Sequence, residues 1–371
     1  MKIGYSAWGF VGNGVVDSPD GGRLTRALLI EHLLQQNYDI IWLQQNRDVN
    51  DLGVPLFSQH CETLYSDTQK KTLCKLQYDT KFPEIDILFL EWRWPIPGRN
   101  FNVLTKKSST YTPDYDRQNE LLDHYIKTTT RIIIWDKDEK LTAMDETWLQ
   151  ENRKWPCQIE ILSPAVYPSE IFFHRKTVLF PCDLQKIRGT RVNKSYRFLI
   201  GYVGSQYERD EQVYKYINPV SFKYPQQIVF AGNWMKYPAI AKRNEVNFPC
   251  IRFEDRILPK DMYKIYGQCL SSVLLCKSNY AEHCHITQRI HEVAANGVIA
   301  IGLKEQIGIE DFVNKNLVVA DAYDLAQVVE MLYKLSLQAR QDLLDENIDK
   351  LEPFDINNVM RTLTSIFHEQ R

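Results

Sequence analysis

Short runs of continuous apolar residues, each followed by a stretch with helical spacing, recur along this chain and restart after a polar break near its middle. Tyr38 to Leu43 (YDIIWL), Ile85 to Leu90 (IDILFL) and Arg131 to Trp135 (RIIIW) lack the alternation of a strand with one wet face. Runs of that kind belong to parallel strands covered on both faces by helices. Lys2 to Ala7 reads as a strand, and Trp8 to Gly22 as a loop holding Gly9, Gly12, Gly14, Gly21 and Gly22. A helical pattern through Leu24, Ala27, Leu28, Leu33 and Leu34 then leads into YDIIWL. Strand, helix and buried strand in that order make a βαβ unit. Arg117 to Thr128 supplies a crossover helix, and Ile159 to Ser163 with Thr177 to Phe180 completes the first sheet.

Pro181 to Tyr196 is polar and basic and interrupts the pattern. Alternation resumes with strands at Arg197 to Val203, Gln227 to Ala231, Ser271 to Cys276, Val298 to Gly302 and Leu317 to Ala320. Helices are expected at Glu208 to Ile217, Met262 to Gln268, Ile286 to Ala295 and Ala322 to Leu337. A chain of 371 residues exceeds what one hydrophobic core usually serves. The reading is therefore α/β with two Rossmann-like domains, 1–182 and 197–352, joined by a linker at 183–196. Val359, Leu363 and Phe367 give 353–371 a helical stripe that can return to the first domain. In such sheets ligands gather beyond the carboxyl ends of the strands.

A net charge of −2 provides no global attraction to nucleic acid or an acidic membrane. No apolar run approaches the roughly 20 residues of a spanning helix, and Met1 to Tyr5 opens straight into a strand pattern. The eight cysteines contain no Cys-x-x-Cys pair, which suits reduced thiols in a cytoplasmic protein. His283-Cys284-His285 has no second ligand pair at zinc-site spacing, so no structural metal is expected. The expected state is a monomer.

The most informative stretch is Cys276 to Gly297 (CKSNYAEHCHITQRIHEVAANG). Ile286, Ile290, Val293 and Ala294 form the inward stripe of its helix, while Arg289 and Glu292, three apart, share another face. Two readings are open: a solvated ion pair, or an arginine neutralising phosphates beside a carboxylate that accepts from ribose hydroxyls. Gly204-Ser205, between strand and helix, is either a tight connection or a phosphate turn using free N–H groups. Asp136 closes the strand Arg131 to Trp135, with Asp138 as its rival. It either starts a turn or acts as the single base that an inverting sugar transfer needs. The Gly9 to Gly22 loop lacks a GxGxxG pattern, and Asp20 is the carboxylate to watch there. Trp92-Arg93-Trp94 and Arg99, with Lys106-Lys107, mix aromatic and basic residues beyond a strand. Lys186, Arg188, Arg191, Lys194 and Arg197 form a basic run that suits either phosphates or plain solvent.

Over Asn279-Tyr280, Ile286 to Glu292, Leu258 to Met262, Tyr202 to Ser205, Tyr38 to Ile41 and Ile132 to Asp136, the chain resembles the DNA β-glucosyltransferases of T-even bacteriophages. The resemblance implies a GT-B fold, with two Rossmann-like domains facing across a cleft. It further implies UDP-glucose as donor and 5-hydroxymethylcytosine in duplex DNA as acceptor. By it, Arg289 and Glu292 match phosphate-binding and ribose-binding residues, and Tyr280 falls near the nucleotide. Leu258 falls where the family's backbone holds the uracil edge, and Asp136 matches the catalytic aspartate. Of the family's arginines beyond the glycine turn, Arg209 is the nearest match, with a shift of register. The family's glutamate near Asp20 falls on glycine or Arg23, and Trp92 to Arg99 coincides with the loop that enters DNA beside a flipped base.

The expectation is thus an inverting transferase using a UDP-sugar, with stimulation by Mg2+ or Mn2+ left open, acting in the cytoplasm (of the host, were the gene phage-borne). A glycan, lipid-linked sugar or small metabolite is the alternative acceptor. Other classes are a non-catalytic nucleotide or nucleic-acid binder and a sugar-nucleotide epimerase.

Overall fold

Every fully apolar run in the first half becomes a strand of one sheet, because only the interior of a helix-covered sheet has room for it. The computed structural model describes residues 1–7, 21–43, 67–73, 76–92, 96, 113–128 and 131–369. Its first sheet contains β1 (Lys2–Ser6), β2 (Asp39–Leu43), β3 (Gln77–Asp79), β4 (Ile87–Glu91), β5 (Arg131–Trp135), β6 (Ile159–Ser163) and β7 (Arg175–Thr177). All pairings are parallel, in the order β3-β2-β1-β4-β5-β6-β7. Strands β4, β5 and β6 are buried along their whole length. Helix Ala143–Asn152 starts on a capping box in which Thr142 and Asp145 satisfy each other's main-chain N–H.

The second sheet contains β8 (Phe198–Val203), β9 (Ile228–Ala231), β10 (Ile251–Glu254), β11 (Cys269–Val273), β12 (Ile299–Leu303) and β13 (Val318–Val319). It is also parallel throughout, in the order β10-β9-β8-β11-β12-β13. Each sheet therefore carries the doubly wound 3-2-1-4-5-6 order, with an extra edge strand on the first. Helix Arg289–Ala295 ends where Gly297 takes φ +72; a side chain there would meet the Arg191 carbonyl oxygen at 2.2 Å.

Contacts divide the chain into two units: Met1–Pro164, Pro168–Leu179 and Val359–Arg371 make one, and Ala165–Tyr167 with Phe180–Asn358 the other. The stretch 183–196, expected as a linker, opens with helix Leu184–Ile187 and belongs to the second unit. Asn193 Nδ2 donates to the carbonyls of Tyr266 and Cys269 at 2.8 and 2.9 Å, and Val192 N–H donates to Gln341 Oε1 at 3.0 Å. The return to the first unit begins at Val359 rather than 353, since Cys182 pairs with the main chain at Phe354 and Ile356 inside the second unit.

Helix Ile356–His368 buries Val359, Met360, Leu363, Ile366 and Phe367, all at 4% exposure or less. Arg131 holds its end, donating to the carbonyls of Phe367 and Glu369 while pairing with Glu160 at 3.1 Å. Leu363→Ala is expected to cost about 2–5 kcal/mol, the usual range for a buried leucine, as a lower denaturation midpoint of the full chain. An unchanged midpoint would show that the helix contributes nothing to the first unit.

Candidate functional site

In each sheet the winding direction reverses between the first strand and the fourth, at β1/β4 and at β8/β11. The chain ends beyond those strands splay apart there, leaving main-chain groups without ladder partners; ligands of such sheets bind at these points.

In the second unit Arg289 occupies that position. Its Nε donates to the Val203 carbonyl at the end of β8 at 3.1 Å, and its Nη1 to the Leu275 carbonyl beyond β11 at 3.4 Å. The guanidinium lies 4.5 Å over the Tyr202 ring. Glu292 lies half-buried one turn on, and its charge acts on the guanidinium. Arg209 is 7% exposed and donates from Nη1 to the carbonyls of Ser205 and Tyr207. Its Nε is buried with no hydrogen-bond partner. Neither guanidinium pairs with a carboxylate among the described residues. Burial pushes the Cys276 thiol up to about 11, against the hydrogen bond from Gln212 and the charges of Arg209 and Arg289. Guanidiniums held by main-chain carbonyls rather than by carboxylates keep N–H donors that suit an anion with several oxygens.

Gly204 has a different task from the one its position suggested. Its N–H is taken by the Ala231 carbonyl at 2.9 Å and its carbonyl by Trp234 Nε1 at 2.9 Å, so it offers no free donor. The following helix begins only at Asp210, which removes the helix-terminus argument as well. What the position needs is the absence of a side chain: a Cβ would stand 2.3 Å from Arg289 Nη2 and 3.1 Å from its Cζ. Gly204→Ala is therefore expected to displace the guanidinium and weaken binding of a polyoxygen anion there, probed with inorganic pyrophosphate, about tenfold, the loss of roughly one hydrogen bond to a charged group. Calorimetry giving wild-type affinity would refute this steric role. Ser205 is half-buried and gives its carbonyl to Arg209.

Tyr280, in the helix after β11, faces inward. It is 3% exposed and stacks on His285 with centroids 3.8 Å apart. The apolar surroundings of Cys276 and Ala281 draw it inward. Leu258 is half-buried and caps a short turn, its carbonyl accepting from Asp261 N–H at 2.8 Å. Lys277 pairs with Glu208 at 3.1 Å, tying the loop after β11 to the loop after β8; nothing in the sequence flagged that link.

In the first unit Asp136 stands at the end of β5, but buried rather than projecting openly. Its Oδ1 accepts from Lys140 N–H at 2.8 Å and its Oδ2 from Leu141 N–H at 3.0 Å, with Arg175 Nη1 3.6 Å away. Burial pushes its carboxyl up to about 6, against those hydrogen bonds and Arg175. Arg175 also pairs with the buried Glu146 at 2.6 Å. The rival Asp138 is more exposed and pairs with Lys140 at 3.6 Å.

Glu91, at the end of β4 beside the β1/β4 switch, was overlooked although it closes an apolar strand as Asp136 does. Its carboxylate accepts from Tyr5 OH at 2.6 Å and from Arg26 Nε and Nη2 at 2.8 and 2.6 Å, and it pairs with Lys137 at 2.9 Å. Burial opposes its charge, but Arg26, Lys137 and these hydrogen bonds hold it down at about 2.

Trp92 is corrected from a nucleic-acid contact to a core residue. It is 1% exposed, its N–H donates to the Trp135 carbonyl, and it packs in the cluster of Leu90, Ile134 and Leu149. Asp20, Arg93, Trp94, Arg99 and Lys106-Lys107 lie outside the described residues. Cys284 and His285 are buried, and among the described residues no group of three or more His, Cys, Asp or Glu side chains could hold a metal. Among the same residues no helix is long and apolar enough to cross a membrane.

No family model and no curated protein matches this sequence. Its fold nevertheless falls in a defined class: two doubly wound parallel units in one chain, the GT-B architecture of glycosyltransferases. Among solved structures it is similar to the β-glucosyltransferase of phage T4, with TM-score 0.61 over 100% of both chains and 14% sequence identity. It is also similar to the Anabaena protein HepE in complex with UDP and glucose, with TM-score 0.59, 9% identity and 99% of each chain covered. A glycosyltransferase from Rickettsia africae follows at TM-score 0.57 and 10% identity, covering 99% of this chain and 97% of that one. At such identities the likeness is one of fold.

Proposed function

We propose that this chain is an inverting glycosyltransferase that moves a hexose, glucose in the favoured reading, from a UDP-sugar to a hydroxyl acceptor. The observation that carries the reading is Arg289, suspended over the β8/β11 switch point by two main-chain carbonyls, with Arg209 held by the carbonyls of the loop after β8. That arrangement suits a diphosphate, whose departure needs its growing charge neutralised rather than a proton delivered. Structures of the T4 enzyme with UDP-glucose and of HepE with UDP and glucose support the choice of donor.

In this mechanism the first unit supplies the base. Asp136, ionised above about pH 6, takes the acceptor's hydroxyl proton as the oxygen attacks the anomeric carbon. The bond from that carbon to the diphosphate breaks, the electron pair leaves with UDP, and the configuration inverts. Each carboxylate oxygen of Asp136 retains a lone pair beyond the one its N–H partner uses. The resemblance to the phage enzymes assigns Glu292, a turn from Arg289, to the ribose hydroxyls and the Leu258 main chain to the base edge. The T4 enzyme has been solved with UDP and Mn2+, and stimulation by Mg2+ or Mn2+ is an outcome that assays with and without the ion decide.

The favoured acceptor is 5-hydroxymethylcytosine in duplex DNA, supported by the resemblance to the DNA-modifying phage enzyme over the full chain. The comparable likeness to HepE favours a second reading, a glycan or small-molecule acceptor on the same donor site. Incubation with UDP-[14C]glucose and either hydroxymethylated or unmodified duplex separates them. Label on the modified duplex alone is expected. Hydrolysis without label on either DNA rejects the DNA acceptor but leaves the donor site standing.

A further inference from the structure

The basic run 186–197 has no part in the reaction above, and its five cations are not alike. Lys186 pairs with Asp183 at 2.8 Å and Arg188 with Glu352 at 2.9 Å. Arg191, Lys194 and Arg197 are exposed and pair with no carboxylate among the described residues. Their backbone is held in place. Gln341 donates to the Thr190 carbonyl at 3.0 Å and accepts from Val192 N–H, Asn193 is fastened by its side chain, and Arg197 N–H donates to the Gln268 carbonyl at 2.9 Å.

Beside this stretch, helix Leu337–Asp349 presents Arg340, which is only 8% exposed. Its Nε and Nη1 are buried without hydrogen-bond partners, and its Cζ lies 5.3 Å from the Tyr196 ring. Tyr196 in turn meets the exposed ring of Tyr333 edge-on at 6.2 Å. The neighbouring acids are engaged elsewhere: Asp342 with Gln338, Asp345 with Gln341, and Glu330 with Lys334 and Lys223. A buried guanidinium without a counter-ion is costly and marks a place where an anion would be stabilising. Tyrosine against its face leaves the planar fork of donors for phosphate oxygens.

We propose that Arg340, Tyr196 and the cations Arg191, Lys194 and Arg197 form a second binding site, for the phosphodiester backbone of nucleic acid. The stretch leads into the amino end of β8, whereas the donor site lies beyond its carboxyl end. The six residues between span about 20 Å at the usual rise per residue, too far for one diphosphate to serve both. A row of cations along the chain suits a linear polyanion, held without regard to sequence. The inference rests on duplex DNA being the acceptor, to which this site would add affinity without touching the reacting base.

The test is fluorescence anisotropy of a short labelled duplex against the full chain over a salt series. Arg191→Ser/Lys194→Ser/Arg197→Ser is expected to lower the slope of log affinity against log salt by about 3, close to 0.9 per lost phosphate contact. Arg340→Met should weaken binding at every salt concentration, and UDP affinity should stay at the wild-type value in both variants. The triple variant alters exposed side chains only, so it remains informative if Arg340→Met does not fold. An unchanged slope, no duplex binding by the wild type, or binding of phosphatidylglycerol vesicles in place of DNA each overturns the proposal. Transfer of label to hydroxymethylated duplex with an unchanged slope would sink this site while keeping the acceptor.

Discussion

Arg289→Ala is expected to raise the dissociation constant for UDP about 100-fold or more. Two charge-assisted hydrogen bonds of about 1.5–3 kcal/mol each disappear, and every 1.4 kcal/mol is a factor of ten. The loss extends further, because the carbonyls of Val203 and Leu275 no longer accept from the guanidinium. Arg289→Lys should fall between, since an ammonium keeps the charge but cannot bridge two carbonyls and a phosphate with one planar group. Calorimetry on the full chain settles the matter: wild-type affinity in the alanine variant removes Arg289 from the donor site.

Asp136→Asn should leave UDP affinity intact and lower the transfer rate about 100- to 10,000-fold, the usual contribution of a general base. The wild-type rate should also show an acid limb. The base works only when ionised, so below its pKa, about 6, the rate should fall tenfold per pH unit, and above it the rate should level off. The sign follows from burial, which favours the neutral acid and thus needs a higher pH to charge it. Turnover at the wild-type rate in Asp136→Asn would transfer the role to another carboxylate, with the more exposed Asp138 first in line.

Much of this architecture was legible because the interior of a helix-covered parallel sheet leaves an unmixed signal. RIIIW became β5 and IEILS became β6 residue for residue. The edge strands β3 and β10 were missed for the converse reason: with one side unpaired, most of their residues stay partly exposed and the apolar run dissolves. Thr177 to Phe180 was displaced to Arg175–Thr177, whose charged residues hide a strand inside an ion-pair network. Helix Leu337–Asp349 escaped notice because Leu335 and Ser336 continue the spacing of the preceding helix, and only the Ser336 cap separates the two.

The candidate site was less legible, since spacing places residues on an element and says nothing of what lies across from it. Arg289 and Glu292 could be put on one helix, but the carbonyls that hold the guanidinium belong to Val203 and Leu275, far away in sequence. Trp92 carried an interaction signal by residue type and turned out to be packing. Arg175 and Arg340 gave no sequence signal at all, for a lone arginine is exposed far more often than buried.

The anchoring of Arg289 through peptide oxygens rather than through another side chain has a consequence for divergence. Such an anchor asks for no particular amino acid at the positions that hold it, only for strands of the right length and a bare α-carbon where the cation passes. A lineage could therefore replace most of its side chains and still keep one cation in register with the ends of its sheet.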